Sequence, residues 1–100
     1  LHRRNGHGVD LNRNLPTTDW SAQFTREHYH PGPVACSEPE NQALVEYIQS
    51  FRPQFILSLH SWEPMLNING DCKKIAQVIS SYTGYRVADD IGYPTPGSLG

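Results

Sequence analysis

Seven consecutive residues, Gly8-Val9-Asp10-Leu11-Asn12-Arg13-Asn14, bring together one carboxylate, two amides and one guanidinium. A guanidinium is a planar, permanently charged fork that matches a carboxylate in two parallel hydrogen bonds, so this segment is suited to gripping an anion. Chemistry alone leaves a second reading open, in which Arg13 pairs with Asp10 and merely ties a loop at a strand end. A second candidate is His60, which follows an apolar run and could hold a metal, act as a base, or serve as a hydrogen-bonded structural residue. His60 and Glu63 also spell H-x-x-E, a spacing that can offer two ligands to one zinc ion in a helix or tight turn, although Pro64 opposes a continuing helix. His2, His7, His28 and His30 lie in polar or irregular stretches and need no function, with His28-Tyr29-His30 only a minor metal candidate. Glu38 and Glu40 read as helix-capping residues and Asp89-Asp90 as a solvated turn.

These groups need elements to place them. Val9 and Leu11 alternate with Asp10 and Asn12, which reads as the end of a strand turning its polar set toward a site. Residues 15–36 carry Pro16, Pro31, Gly32 and Pro33 without helical or strand periodicity, a long excursion of the kind that forms functional rims. Ser37-Glu38-Pro39-Glu40 predicts a helix start, with Ser37 as N-cap and Glu40 closing a capping box. Ala43, Leu44, Tyr47, Ile48 and Phe51 continue at helical spacing until Pro53. Phe55-Ile56-Leu57-Ser58-Leu59 reads as a central strand that delivers His60 at its C-terminal end. A second helix is predicted from about Asp71 to Tyr82, with Gly84 beyond it, and Tyr85-Arg86-Val87 as a short strand. The closing Gly92-Tyr93-Pro94-Thr95-Pro96-Gly97-Ser98 is either a loop that moves over a substrate or a proline-stiffened connection. The order predicts an α/β fold, part of a mixed central β-sheet flanked by helices, with active groups beyond the strand ends.

The length of 100 residues allows at most one domain, and the net charge of −2 offers no footprint for nucleic acid or an anionic membrane. No apolar run is long enough to span a bilayer and no targeting motif is present, which leaves a cytoplasmic or a periplasmic location open. Cys36 and Cys72 are too few for a disulfide scaffold and read as buried thiols or one optional bridge. A first residue Leu1 and a last segment ending in mid-loop suggest a piece of something longer.

In this order, Arg3-x-Asn5-x-x-Gly8-Val9-Asp10-Leu11-Asn12-Arg13-Asn14, Pro31-Gly32-Pro33, Ser37-Glu38-Pro39-Glu40 with Gln42-Ala43-Leu44, Ser58-Leu59-His60-Ser61-Trp62 and Gly92 to Ser98 resemble the zinc metallocarboxypeptidase family. The short loops and the G-Y-x-T-P-G-S ending are most similar to its bacterial branch that includes murein peptide amidases. The resemblance implies that residues 1–100 are the central portion of one catalytic domain that binds Zn2+ and hydrolyses the C-terminal residue of peptides. It implies His60 as a zinc ligand, Asn12 and Arg13 as the grip on the substrate's terminal carboxylate, and Asp10 as the carboxylate orienting another zinc-binding histidine. Arg3 matches the cation that stabilises the tetrahedral oxyanion, Tyr93 a substrate-capping tyrosine, and Ser61 and Trp62 a substrate-lining pair.

Two family features have no match. An H-x-x-E ligand pair is expected before Asp10 and a general-base glutamate after Gly100, which leaves Glu63 incidental. The isolated chain is therefore expected to hold zinc weakly and to lack peptidase activity, because catalytic zinc normally has three protein ligands. Two other functions compete: a non-catalytic module that binds peptide C-terminal carboxylates, and a related zinc acyl-amino-acid deacylase. A central sheet without neighbouring strands is also expected to self-associate through its edges.

Overall fold

The computed structural model describes residues 2–99 as an α/β chain with two α-helices, a two-stranded parallel sheet and two short 3-10 turns. It divides into two compact units, one comprising residues 2–54 with 95–99 and the other residues 55–94.

Helix α1 spans Pro39–Phe51 in the first unit. Proline at its first turn costs nothing, because the N–H it lacks would have no intrahelical partner there. The helix ends where Arg52 adopts a left-handed conformation and its N–H bonds to the Ile48 carbonyl, just before Pro53. The expected capping box does not form. Glu38 occupies the N-cap position, and Ser37 instead donates its hydroxyl to Glu38 Oε1 at 2.7 Å. The predicted apolar face is present but uncovered, with Leu44, Tyr47 and Phe51 exposed and Tyr47 stacked on Phe51.

Residues 9–12 are not a strand. Val9 and Asp10 are both buried, so the period-2 alternation of inside and outside is absent, and the chain turns into a 3-10 helix at Leu11–Arg13. Asp10 caps that turn by accepting the Asn12 N–H at 3.1 Å, a local bond that competes with extended structure.

The second unit is a β-α-β arrangement: β1 at Met65–Asn67, α2 at Lys73–Thr83 and β2 at Arg86–Ala88. The strands run parallel, with Met65, Leu66 and Asn67 opposite Arg86, Val87 and Ala88. Helix α2 matches the sequence expectation to within two residues, and Gly84 ends it at φ +74°. The strand expected at 55–59 is not formed in this chain; Leu57 and Leu59 are exposed, and the described residues supply no ladder partner for that run. A strand exists only when another strand accepts its N–H groups, which no local pattern can guarantee. Strand β1 was not foreseen, and β2 lies one residue beyond the expected position. Among the described residues no helix is long and apolar enough to cross a membrane.

Candidate functional site

The first unit is organised around buried polar side chains. Asn14 is fully buried, and its Nδ2 donates to the Pro31 carbonyl, the Val34 carbonyl and Ser37 Oγ at 2.8, 3.1 and 3.0 Å. Its Oδ1 accepts the Glu38 N–H and Asn41 Nδ2, both at 3.2 Å. One amide thus fastens the residues after Arg13 to the Pro31–Ser37 segment and to the start of α1. Asn41, also buried, reaches from α1 to the Leu11 carbonyl at 2.8 Å. Gly32 is required at this junction: it sits at φ +83°, and a Cβ there would lie 2.6 Å from both Asn14 Nδ2 and Ser37 Oγ.

Glu38 forms a second buried hub. Its Oε2 accepts from Asn5 Nδ2 at 2.7 Å and shares a 2.7 Å hydrogen bond with His7 Nδ1. The Asn5 amide above all, then the Ser37 hydroxyl, with His7 adding less, holds its carboxyl below the usual range against the opposing effect of burial. Asn5 Oδ1 in turn accepts the N–H groups of His7 and Val9, so the segment leading into Asp10 is pinned by side chains instead of by a sheet.

On this base sit the charged groups. Asp10 Oδ2 accepts from Arg3 Nε at 2.6 Å, so the alternative reading of a tie between Arg13 and Asp10 gives way to one between Arg3 and Asp10. Arg13 Nη1 donates to the Asn12 carbonyl at 2.6 Å. Among the described residues Arg13 has no ion-pair partner. Asn12 Oδ1 accepts the Leu99 N–H at 3.1 Å, and the Leu15 N–H bonds to the Gly97 carbonyl at 3.0 Å. The Thr95–Leu99 segment is therefore a tied connection at this end. Gly97 lies at φ +73° with its α-carbon so near the Arg13 carbonyl and the Trp20 ring that no side chain fits.

Tyr29 is the residue that sequence reasoning passed over. It closes the 3-10 turn Glu27–Tyr29, and the guanidinium carbons of Arg3 and Arg13 lie 5.0 and 5.2 Å from its ring centroid. Its only signal in the sequence was an aromatic ring within a polar, irregular stretch, which is common in loops.

The second unit holds the other candidates. His60 is exposed and shares a 3.0 Å hydrogen bond through Nε2 with Ser58 Oγ. Trp62 meets Tyr93 edge to face, with centroids 5.9 Å apart, and Ser61 is exposed. Glu63 lies 3.5 Å from Arg86 in an exposed ion pair. Asp90 accepts the Gly92 N–H at 2.7 Å, the turn expected there. Cys36 and Cys72 are free thiols. Among the described residues no three of His, Cys, Asp and Glu converge as a ligand set. His60 offers a single imidazole, so these residues alone do not make up a complete zinc site.

A family model described as zinc carboxypeptidase matches residues 1–93. Murein peptide amidase A of Vibrio campbellii is 33% identical over 110 residues, covering 98% of this chain and 44% of the relative. The protein of the same name from Escherichia coli K12 is 30% identical, covering 98% of the chain and 45% of the relative. The crystal structure of murein-tripeptide amidase MpaA from Escherichia coli O157 matches with a TM-score of 0.79 at 29% identity, over 96% of this chain and 45% of that one. The chain thus spans less than half the length of these relatives. With a match over nearly its whole length and a fold to agree, the chain belongs to the zinc carboxypeptidase family.

Proposed function

We propose that the protein carrying this chain is a zinc-dependent carboxypeptidase of murein peptides, and that residues 1–100 are the central portion of its single catalytic domain. The observation that carries this reading is the state of Arg13. Its guanidinium is held in place by the Asn12 carbonyl and the Tyr29 ring, yet it has no carboxylate partner among the described residues. A positioned, uncompensated guanidinium is what an exopeptidase needs to select a chain by its free terminal carboxylate.

In this reading Arg13 and Asn12 bind that carboxylate. Arg3, whose Nε is engaged by Asp10, keeps its remaining N–H groups for the oxyanion that forms as the scissile carbonyl becomes tetrahedral. Asp10 orients a zinc-binding histidine and fixes Arg3, His60 supplies one zinc ligand, Ser61 and Trp62 line the substrate, and Tyr93 caps it. The named relatives, murein peptide amidases, support a murein peptide as substrate.

The test uses the full-length natural protein that carries this chain, assayed on γ-D-glutamyl-diaminopimelate peptides and on ordinary peptides, each with a free or an amidated C-terminus. Hydrolysis confined to free carboxylates is expected, with Arg13→Ala lowering kcat/KM by roughly 10²-fold through loss of a charge-assisted pair. Equal turnover of amidated peptides would overturn the reading. A second reading is a binding module without catalysis that keeps the positioned Arg13 guanidinium; calorimetry that finds carboxylate binding without turnover or zinc uptake in the full-length protein would establish it. The isolated chain is expected to take up no stoichiometric submicromolar zinc, and to self-associate through apolar surfaces such as Leu57, Leu59 and Tyr82. Light scattering from a stable monomer would contradict the latter.

A further inference from the structure

We infer that Tyr29 is a positioning residue for carboxylate recognition, its ring ordering the Arg13 guanidinium that grips the carboxylate while also lying against Arg3. This rests on the reading of Arg13 given above and adds to it the device that orders the cation. Two guanidinium groups repel each other, and among the described residues Arg3 has a carboxylate neighbour, Asp10 at 2.6 Å, whereas Arg13 has none. What lies next to both cations is the Tyr29 ring, at 5.0 Å from one and 5.2 Å from the other, within the range at which the negative face of an aromatic ring attracts a cation. The ring offsets the repulsion without neutralising either charge, which a second carboxylate would do. An incoming carboxylate then meets, in Arg13, a positive charge whose side chain is already ordered.

The backbone keeps Tyr29 in this place independently of the arginines. The Asp10 N–H bonds to the His30 carbonyl at 2.8 Å, and the Gly32 N–H bonds to His30 Nδ1 at 3.0 Å. Arg4 Nη1 reaches Glu27 Oε1 at 3.3 Å, and the Tyr29 N–H closes its turn on the Arg26 carbonyl. The turn carrying Tyr29 is thereby fastened to the same strand of chain that carries Arg3 and Asp10. The Tyr29 hydroxyl has no part in this account; the ring face does the positioning.

The experiment measures the ratio of kcat/KM for a peptide with a free C-terminus to that for its amide, in the full-length natural protein, together with KM and kcat separately. Tyr29→Leu is expected to lower the ratio roughly threefold to fivefold, the size of one partly exposed cation–π contact to Arg13, with part of the loss in KM. Tyr29→Phe is expected to restore it. Pentafluorophenylalanine at position 29 keeps the ring's shape while reversing its quadrupole, and is expected to lose as much as the leucine variant; it decides the matter if leucine impairs folding. Retained discrimination in the pentafluoro protein, or a phenylalanine variant as poor as leucine, would overturn the role of the ring. Arg13→Ala separates the two readings: if it leaves discrimination intact, the carboxylate clamp itself fails and Tyr29 with it, whereas loss in Arg13→Ala beside an unaffected pentafluoro protein refutes Tyr29 alone.

Discussion

The two units of this chain are stabilised by opposite means. In the unit carrying Arg13, the buried side chains include Asp10, Asn14, Glu38 and Asn41, each bonded to backbone or to another polar group, beside Val9, Leu15 and Pro31 as buried apolar residues. In the unit carrying His60, the buried residues are Ile68 and Ala76, and large apolar side chains such as Leu59 and Tyr82 stand 87% and 89% exposed. A satisfied polar network is directional, so it fixes atoms to within a hydrogen bond's tolerance, whereas apolar burial is not and needs a complementary surface to act at all. The segment carrying Asn12 and Arg13 is therefore ordered by its own neighbours. The His60 segment presents surfaces of the kind that become stabilising only when covered.

The glycines provide the sharpest way to break this contrast. Gly97 and Gly84 share nearly the same backbone, at φ +73° and +74°, but a side chain at Gly97 collides with the Arg13 carbonyl and the Trp20 ring, while nothing lies within 4 Å at Gly84. Gly97→Ala is expected to destabilise by roughly 3 kcal/mol or more and Gly84→Ala by only about 1 kcal/mol, the cost of the left-handed conformation. Denaturant melts of the two variants check this, and equal losses would dissolve the distinction. Asn14→Ala should follow in size, at roughly 2–4 kcal/mol, because it strands the Glu38 N–H and the Pro31 carbonyl.

Glu38 gives a pH-dependent version of the same test. Its carboxyl is held below its ordinary value near 4.5, chiefly by the Asn5 amide, so the charged form is favoured in the folded state. Its contribution is complete above that ordinary value and is lost as pH falls through the lower folded value. Melting temperature should drop on acidification below about pH 4.5, and Glu38→Gln should flatten that part of the profile while costing roughly 1–3 kcal/mol at neutral pH. An unchanged acid limb in the variant would remove Glu38 from the account. The smallest effect is expected at His60, where alanine should change stability by less than about 0.5 kcal/mol, since the imidazole is exposed and bonds only to Ser58. A large loss by thermal melt would show that His60 is structural.

Much of the architecture was legible for local reasons. Helix α1 was marked by Pro39 and stopped by Pro53, and α2 by apolar spacing up to Gly84, because helices close their hydrogen bonds within a few residues. The irregular course of residues 15–36 followed from its prolines and glycine, with only the short turn at Glu27–Tyr29 inside it. What failed was non-local. Residues 55–59 have a strand's composition but no ladder partner among the described residues, and residues 9–12 have a strand's alternation but are drawn into a turn by Asp10 and into burial by Asn14 and α1. Ser37 looked like a helix cap because the three-residue spacing to Glu40 is local, yet its hydroxyl is claimed by Glu38 and Asn14.

By itself the sequence determined the inventory: a family pattern, two helices, and a segment holding Asn12 and Arg13 beside one carboxylate. Only the tertiary structure decided the pairing. Arg3, seven residues from Asp10, takes that carboxylate and leaves Arg13 free of it, while Tyr29, sixteen residues beyond Arg13, lies against both cations. Charge and hydrogen-bonding capacity are properties of residue types and can be read along a chain. Which donor meets which acceptor depends on distances set by the folded path, and here that path is drawn by the buried amide of Asn14 and the buried carboxylate of Glu38.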